Sequence, residues 1–412
     1  MANDLLDGIM LMMGNHPRIQ AISKSHEASV ERIKETHRKQ FGLQLDFSMA
    51  EGYQRYKKPL LEFTEKEAKE NTLKITKMLY DFGKSEALEE DARFTSNQVK
   101  ISVASVKQAL ILEAITAYLS YQRALEILKF AKNSEENIRQ QTKLEDMMVQ
   151  TGKGYSSNVL QAKTSLAGAQ SRRVQAEGSV LVAKARIKAV FRQHAEVLNY
   201  ETEVKVTDLL LPSSLEDAEK IAVEQNRQIQ IGMERSKAFN ERIKSTFARE
   251  FRPKIQFSGE VSRNFDRDGN DGLQENAKAF FEVVFPFNAN GSGFSALSAA
   301  ELELEASVKR EAEIKDQVKE QVAISWQNLQ TAKTNKVYLR NQVNIATEYL
   351  EIARKERQAG KRTLLDVLSA ETSLNNAQSD FASTEFDFNI AAFTLLQAMG
   401  VLELDSITKS AI

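Results

Sequence analysis

Three groups of residues have types and spacings that could support chemistry, and each lacks a part that its chemistry requires. The acidic run 266–271 could bind calcium, but the bidentate Glu of a calcium loop is missing. The glycine-bearing run 288–293 could cradle a phosphate, but it lacks the Lys and the Ser or Thr of a nucleotide-binding loop. The four histidines are isolated on polar stretches: His16, His26, His37 and His194. We therefore expect no enzyme activity, no catalytic residue, no metal and no cofactor. We interpret the acidic run as an exposed hairpin loop and the glycine run as a strand-to-helix junction.

The composition narrows the class of protein further. The 412 residues include 56 Lys and Arg against 57 Asp and Glu, and this balance argues against a nucleic-acid partner, which would require a basic excess. The chain has no Cys, so disulfides and thiolate chemistry are excluded. It has 17 Gly and 5 Pro, which is about 5 % of the chain where average usage is about 12 %. This shortage favours long, uninterrupted secondary-structure elements.

Residue identities recur at an offset of about half the chain, which indicates an internal duplication. The tetrapeptide Glu-Arg-Ile-Lys at 31–34 returns at 241–244, and the segment that begins at Gln150 returns at Gln358. Small insertions in turns account for the slight drift of the offset. We interpret residues 1–210 and 211–412 as two copies of one structural unit.

Within each copy, an apolar stripe predicts a very long amphipathic helix. Ten apolar or small residues recur from Val99 to Ala131 at a mean spacing of about 3.6, and 339–353 repeats the pattern in the second copy. No Pro falls between Pro59 and Pro212 to interrupt such a helix. A single helix over 83–152 would be about 100 Å long. The many Ala residues of the stripe suit close coiled-coil packing.

Stretches with a period of two lie between the helices and predict two strands in each copy, of about 10 to 12 residues each. In the second copy the alternation covers 255–262 and 277–287, and in the first it covers 43–49 and, more weakly, 73–79. Polar loops at about 57–71 and 266–276 are expected to join the strands of each pair.

Strands with one apolar and one polar face suit either a soluble sheet or a membrane β-barrel. Composition alone favours the soluble sheet, since alternating strands are a weak membrane signal. However, no nearby segment has a spare apolar face to cover both hairpins, and four strands cannot close a barrel. A barrel would therefore require several chains that each contribute four strands.

The sequence predicts no membrane-spanning helix and no signal peptide. The apolar run 8–13 is far shorter than the roughly 20 residues that a spanning helix requires. The residues before it lack the basic start and long apolar stretch of a secretory signal. If the protein is exported, we expect this chain to be a processed form.

In this order of elements the chain resembles the TolC-like outer-membrane efflux and secretion channels. The most specific match is the second helical turn, where Gly360 and then Asp366, Val367, Leu368, Ala370, Leu374 and Ala377 fit the family's Gly-x-x-x-x-x-Asp-Val-Leu-x-Ala-x-x-x-Leu-x-x-Ala pattern. The first turn, from Gly152 to Ala162, matches it in part. The segment Leu79–Gly83 is similar to members that serve type I protein secretion.

The resemblance implies a mainly α protein with a β part, in which three chains form a 12-stranded barrel joined to an α-helical tunnel. The barrel segments would be about 42–83 and 253–288, and the tunnel segments about 84–196 and 294–400. The implied location is the outer membrane of a Gram-negative bacterium, in contact with its lipid, with an extension into the periplasm. The implied partners are two further copies, a periplasmic adaptor protein and an inner-membrane pump, either an ABC or a proton-driven transporter.

The resemblance also assigns residues to sites, and each assignment has an ordinary structural alternative. Adaptor docking falls on the two turns: Gly152, Val159, Leu160, Ala162, Gly360, Val367, Leu368 and Ala370. In the alternative, these glycines only form turns and the Val-Leu pairs pack the next helix. A tunnel constriction falls on Asp366, where three carboxylates would raise one another's pKa. In the alternative, Asp366 only favours the start of a helix.

Three positions depart from the best-known member of the family at the constriction. Ser369 replaces a second acidic residue, Asn158 replaces an Asp that would pair with Arg362, and Arg357 replaces a tyrosine. We therefore expect the entrance to be held shut by different contacts.

Two functions from different classes remain at this point. One is a passive export duct, for proteins or for small molecules such as drugs, which the sequence does not separate. The other is a soluble coiled-coil scaffold with a small accessory sheet.

Overall fold

A computed structural model describes residues 5–57, 63–192 and 211–405. The helices are α1 (Leu5–Asn15), α2 (Pro17–Phe41), α3 (Lys84–Gln150), α4 (Ser156–Phe191), α5 (Leu215–Gln225), α6 (Arg227–Phe251), α7 (Ser292–Gln358) and α8 (Leu364–Met399). The strands are β1 (Leu43–Lys57), β2 (Phe63–Tyr80), β3 (Lys254–Phe265) and β4 (Leu273–Val284). The prediction of a mainly α protein with four strands is confirmed.

Corresponding helices of the two halves have equal lengths. Helices α2 and α6 each have 25 residues, α3 and α7 each have 67, and α4 and α8 each have 36. The compact units of the chain do not coincide with its halves: one comprises 1–20, 104–227 and 315–412, and the other 21–103 and 228–314. We propose from the equal lengths that 1–210 and 211–412 are duplicated copies, each of which supplies segments to both units.

The unit of 21–103 and 228–314 contains one antiparallel sheet in the order β1-β2-β3-β4. Odd-numbered residues of neighbouring strands lie opposite one another, as in the rows Leu45–Ile75–Gly259–Ala279 and Phe47–Leu73–Val261–Ala277. Near the helices the odd-numbered residues form a mostly apolar face, on which Phe47 and Phe281 are 65 % and 78 % exposed, whereas further along β1 and β2 this face carries charged residues such as Glu51. The opposite face of the sheet is mostly polar. It consists of the even-numbered residues of β1, β3 and β4, and of those in β2 up to Met78.

The predicted polar loop at 57–71 is wrong, because strand β2 already begins at Phe63. Strands β1 and β2 have 15 and 18 residues, where 10 to 12 were expected. The start of β2 carries charged residues on both faces, so its sequence shows no alternation of apolar and polar types. Cross-strand ion pairs stabilise it instead: Arg55 lies 3.4 Å from Glu65, and Lys69 contacts Glu51.

The unit of 1–20, 104–227 and 315–412 is helical, and its core includes buried residues of α3 and α8. Leu110, Ile115 and Tyr118 of α3 are fully buried, as are Phe393 and Leu396 of α8. The same stretch makes α3 the one described helix that is long and apolar enough to cross a membrane by length and composition, whereas the sequence predicted none. Of that apolar stretch, 39 % is buried inside the chain.

Candidate functional site

The two predicted helical turns have the same backbone geometry. Gly152 and Gly360 have φ of 75° and 74°, in the left-handed region where a side chain is strained. The amide of Gly152 donates to the Val149 carbonyl at 3.0 Å, and that of Gly360 donates to the Arg357 carbonyl at 3.0 Å. These bonds satisfy carbonyls left free where α3 and α7 end. The space around both glycines is open, since a Cβ there would meet nothing within 4 Å.

The structure separates the eight predicted docking residues into two groups. Five are buried inside the chain: Val159, Ala162, Val367, Leu368 and Ala370. Ala162 and Leu368 pack with Ile138 of α3, while Val367 and Ala370 pack with Leu350 and Ala353 of α7. Gly152, Leu160 and Gly360 are exposed. The packing interpretation therefore describes the buried five, and docking at the exposed three stays a prediction.

Asp366 caps the N-terminus of α8. Its amide donates to the Thr363 hydroxyl oxygen at 3.3 Å, while the Thr363 hydroxyl and backbone amide donate to Asp366 Oδ2 at 2.7 Å and 3.2 Å. The Thr363 side-chain hydrogen bond, its backbone hydrogen bond and the nearby charge of Arg362 lower the pKa of Asp366. Within one chain the carboxylate is thus held ionised in a helix cap. The raised pKa that three such carboxylates would share stays a prediction for an assembly.

The other predicted gate residues lie close to the turns. The Arg362 guanidinium donates to the Tyr349 hydroxyl at 2.8 Å and lies 2.8 Å from Glu356 Oε2, so its described partners belong to α7. Asn158 lies in the first turn of α4, where its amide donates to the Tyr155 carbonyl at 3.0 Å. Ser369 is exposed on α8, one position after the buried Leu368.

Sequence reasoning missed two ion pairs next to these turns. Arg357 of α7 donates to Glu145 of α3 at 2.6 Å, and the Glu145 side chain is only 5 % exposed. One turn away, Arg354 of α7 donates at 2.7 Å to Glu371 of α8, which also accepts from Asn137 of α3 at 2.7 Å. The Glu145–Arg357 pair joins the α3–α4 hairpin to the α7–α8 hairpin.

A signal for Glu145 was present in the apolar stripe of α3. If the 4-3-4-3 spacing continues beyond Ala131, it reaches Glu135, Ile138, Thr142 and Glu145, all of which are buried. A carboxylate at a stripe position predicts a buried acid that requires a cationic partner. The partner could not be read from the sequence, because Arg357 lies 212 residues away.

In the part of the chain that the structure describes, the residues first considered for chemistry do not come together as a metal site. No group of three His, Asp or Glu there could hold a metal ion. His16 and His26 are half-buried, His37 pairs with Glu89 at 2.8 Å, and His194 lies outside the described residues. The run 288–293 leads from β4 into α7, as predicted, with the Gly291 amide donating to the Asn288 carbonyl at 3.0 Å.

Four strands with an exposed apolar face, together with paired 67- and 36-residue helices, define the class of outer-membrane channel subunits. The sequence profile of that class, described as "Outer membrane efflux protein", matches residues 9–191 and 220–401. The chain belongs to the outer membrane efflux protein family. It is an outer-membrane protein of the efflux and export class, and the soluble scaffold is not supported.

Individual relatives are distant but extend along most of the chain. The outer membrane protein TolC of Escherichia coli is 21 % identical over 94 % of this chain and 80 % of its own length. The alkaline protease secretion protein AprF of Pseudomonas aeruginosa is 23 % identical over 97 % and 85 %. The outer membrane efflux protein BepC of Brucella suis is 22 % identical over 73 %, and the chain spans 65 % of its length.

Solved structures share the fold. A membrane protein from Pseudomonas aeruginosa superposes with a TM-score of 0.83 at 18 % identity, over 96 % of this chain and 93 % of that one. The outer membrane protein VceC of Vibrio cholerae superposes with a TM-score of 0.79 at 17 % identity, over 96 % of each chain.

Proposed function

We propose that three copies of this chain form a passive export duct through the outer membrane, energised by an inner-membrane pump through a periplasmic adaptor. The observation that carries the proposal is the open four-stranded sheet, which has an exposed apolar face and two free edges, β1 and β4. Free edges pair with further strands, and a closed barrel leaves none. Three chains would supply 12 strands, an even total above the minimum of about eight.

Exposed apolar seams on two helices support the association of copies. On α4 the residues Leu160, Ala167, Val174 and Leu181 recur every seven positions and are all exposed. On α7 the corresponding exposed side chains are Tyr338, Ile345, Tyr349 and Ile352. Apolar residues at heptad spacing are typical of coiled-coil contacts, and exposed apolar patches of this extent mark interaction sites. We infer that the α4 seam of one copy packs against the α7 seam of the next.

We propose that the Glu145–Arg357 pair holds the entrance of the duct closed, beside a constriction formed by Asp366 and flanked by Arg362, Asn158 and Ser369. The pair is a short salt bridge, 2.6 Å, that joins the two hairpins at the turns. Because Glu145 is buried, loss of its partner would leave a charge that only water could stabilise. Relative movement of the hairpins would expose it to water.

The gate is tested with purified trimers in planar lipid bilayers. Arg357→Gln is expected to raise single-channel conductance several-fold, and the charge exchange Glu145→Arg with Arg357→Glu is expected to restore the low value. Arg139→Gln is the matched control, because the described ion-pair partners of Arg139, Glu135 and Glu136, both lie in α3. Unchanged conductance in Arg357→Gln would exclude this pair as the gate, and absence of any conductance from trimers would exclude the duct.

The adaptor is proposed to bind at the exposed turn residues Gly152, Leu160 and Gly360. Their open surroundings leave room for a partner, and their matching geometry would present equivalent surfaces from both halves of each chain. The cargo is proposed as proteins or small molecules. The name of AprF, a protease secretion protein, favours protein export, whereas the names of BepC and the family favour efflux.

A further inference from the structure

The loop between β3 and β4, residues 266–272, is folded back on itself. Asp266 and Asp268 have φ of 52° and 54°, and a 3₁₀ turn covers Arg267–Gly269. The amide of Asp266 donates to the Gly272 carbonyl at 3.1 Å, and the amide of Gly272 donates to Asp266 Oδ1 at 2.6 Å. The loop is therefore a compact, hydrogen-bonded structure at the end of the sheet where the strands are not joined to helices.

This loop lies across the polar face of the neighbouring hairpin. Arg267 Nε is 3.3 Å from Glu70 Oε1, and Lys66 forms an ion pair with Asp271 at 2.5 Å. The Asp268 amide donates to Gln54 Oε1 at 3.3 Å. Gln54 is in β1, while Lys66 and Glu70 are in β2, and all three have even numbers. The loop thus reaches from β3 past β2 to β1, a lateral distance of about 10 Å at the usual strand spacing.

Asn264 indicates what the loop covers. It lies on the polar face, opposite Glu70 in one neighbouring strand and Gln274 in the other, and it has no exposed surface. Gln274 donates to the Arg267 carbonyl at 3.1 Å, which brings the loop backbone to this row of the sheet. Ser262, in the same central strand and one row further from the loop, is 3 % exposed, so burial on this face follows the central strand as well as the loop, while Asn276 in the edge strand β4 is exposed.

We propose that the 266–272 loop narrows the outer end of the duct and sets the size of the molecules that pass it. The inference rests on the proposed function, because a barrel with its apolar face toward lipid has its polar face toward the lumen. A 12-stranded barrel with strands tilted by about 40° is about 24 Å across. Three loops on its inner wall would reduce that opening, and their Asp266, Asp268 and Asp271 side chains would make it acidic.

Thiol labelling tests the position of the loop, since the chain has no Cys of its own. Single-cysteine variants Asn264→Cys and Asn276→Cys are treated on intact cells with a small membrane-impermeant maleimide. Asn276→Cys is expected to react quickly and Asn264→Cys slowly. Adding Arg267→Gln and Asp271→Asn, which removes the two ion pairs between the loop and β2, is expected to speed labelling of Asn264→Cys about five-fold.

The matched control is Arg263→Gln, which removes an ion pair of similar length, 3.3 Å to Glu275, on the apolar face of the same hairpin. It is expected to leave both labelling rates unchanged. Equal labelling rates at Asn264→Cys and Asn276→Cys in the otherwise unaltered protein would show that the loop does not cover Asn264.

The size limit is tested at a deeper site on the polar face, Gln44→Cys, with maleimides attached to polyethylene glycols of increasing mass. The loop double variant is expected to admit larger reagents than the parent. An unchanged size cutoff would overturn this inference and leave the proposed function standing.

Asn270→Cys, in the loop itself, reports separately on the proposed function. If the smallest maleimide does not label it on intact cells, the outer-membrane orientation is wrong and the inference falls with it.

Discussion

At the start of α8, Thr363 and Asp366 form a reciprocal pair that closes the second helical turn. Each side chain accepts a hydrogen bond from the other's backbone amide, so two amides at the N-terminus of α8 are satisfied. The negative charge also lies where the helix dipole favours it. A residue that the family resemblance assigns to a constriction therefore has a structural role in each single chain, and the two roles make different predictions about pH.

For the structural role, we expect the stability of this turn to depend on pH. The pKa of Asp366 is lowered, chiefly by the Thr363 side chain, so its stabilising contribution is complete above the unfolded pKa of about 3.9 and is lost as the pH falls through the lowered value. Hydrogen exchange of residues 363–366, corrected for intrinsic rates, measures this. Asp366→Asn should be less protected than the parent at pH 7, and the difference should shrink as the pH falls below the unfolded pKa and through the lowered one.

Thr363→Ala removes the other half of the cap and is expected to cost about 1 kcal/mol, or roughly five-fold faster exchange. If the protection of the parent instead fell well above pH 4, the like-charge coupling of three carboxylates would dominate over the cap.

At the scale of elements, the turns after α3 and α7 combine strain with open space. Gly152 and Gly360 need the left-handed conformation, but a Cβ added at either would meet no atom within 4 Å. Strain and bulk can therefore be separated by substitution, because Asn tolerates this conformation better than other residues.

We expect Gly360→Asn to export normally and Gly360→Trp to lose most adaptor-dependent export, with the same contrast at Gly152. Both changes place a side chain at a positive φ, but only Trp adds bulk where the adaptor is proposed to bind. Export with the cognate adaptor and pump measures the effect, and the amount of trimer in the membrane serves as the folding control. Equal export by the Asn and Trp variants would argue against docking at these turns.

Most helices and strands could be predicted because their apolar residues recur with the period of one type of secondary structure. The stripe from Val99 to Ala131 predicted α3, and the alternation of Ile255 to Ser262 predicted β3. Prediction failed where long-range contacts replaced periodicity. The start of β2 is a strand because Glu65 and Lys69 pair with residues of β1, and Glu145 is buried because Arg357 reaches it from the other half of the chain.

At the scale of the whole molecule, the single chain has exposed apolar surfaces, which we propose are covered by lipid and by further copies. The apolar face of the sheet meets lipid in the proposed assembly, whereas the α4 and α7 seams have no use in an isolated chain. The seams therefore provide the direct test of association, apart from the sheet.

Val174→Glu, at the centre of the α4 seam and 56 % exposed, is expected to abolish the trimer, because three buried carboxylates without partners would oppose association. Light scattering of the detergent-solubilised protein gives the oligomeric state. Lys184→Glu, at an exposed position of α4 outside the seam, is the matched control and is expected to remain trimeric. A trimeric Val174→Glu would place the contact between copies elsewhere.

The equal lengths of the paired helices limit how such a protein can change over time. A seven-residue insertion in α3 alone would displace its turn by about 10 Å from that of α7, and Glu145 would no longer meet Arg357. The same insertion in α3, α4, α7 and α8 would keep the turns level and every heptad in phase. Viable length variants of this chain should therefore arise as coordinated sets of four insertions or deletions, and an unmatched one should be rare among its descendants.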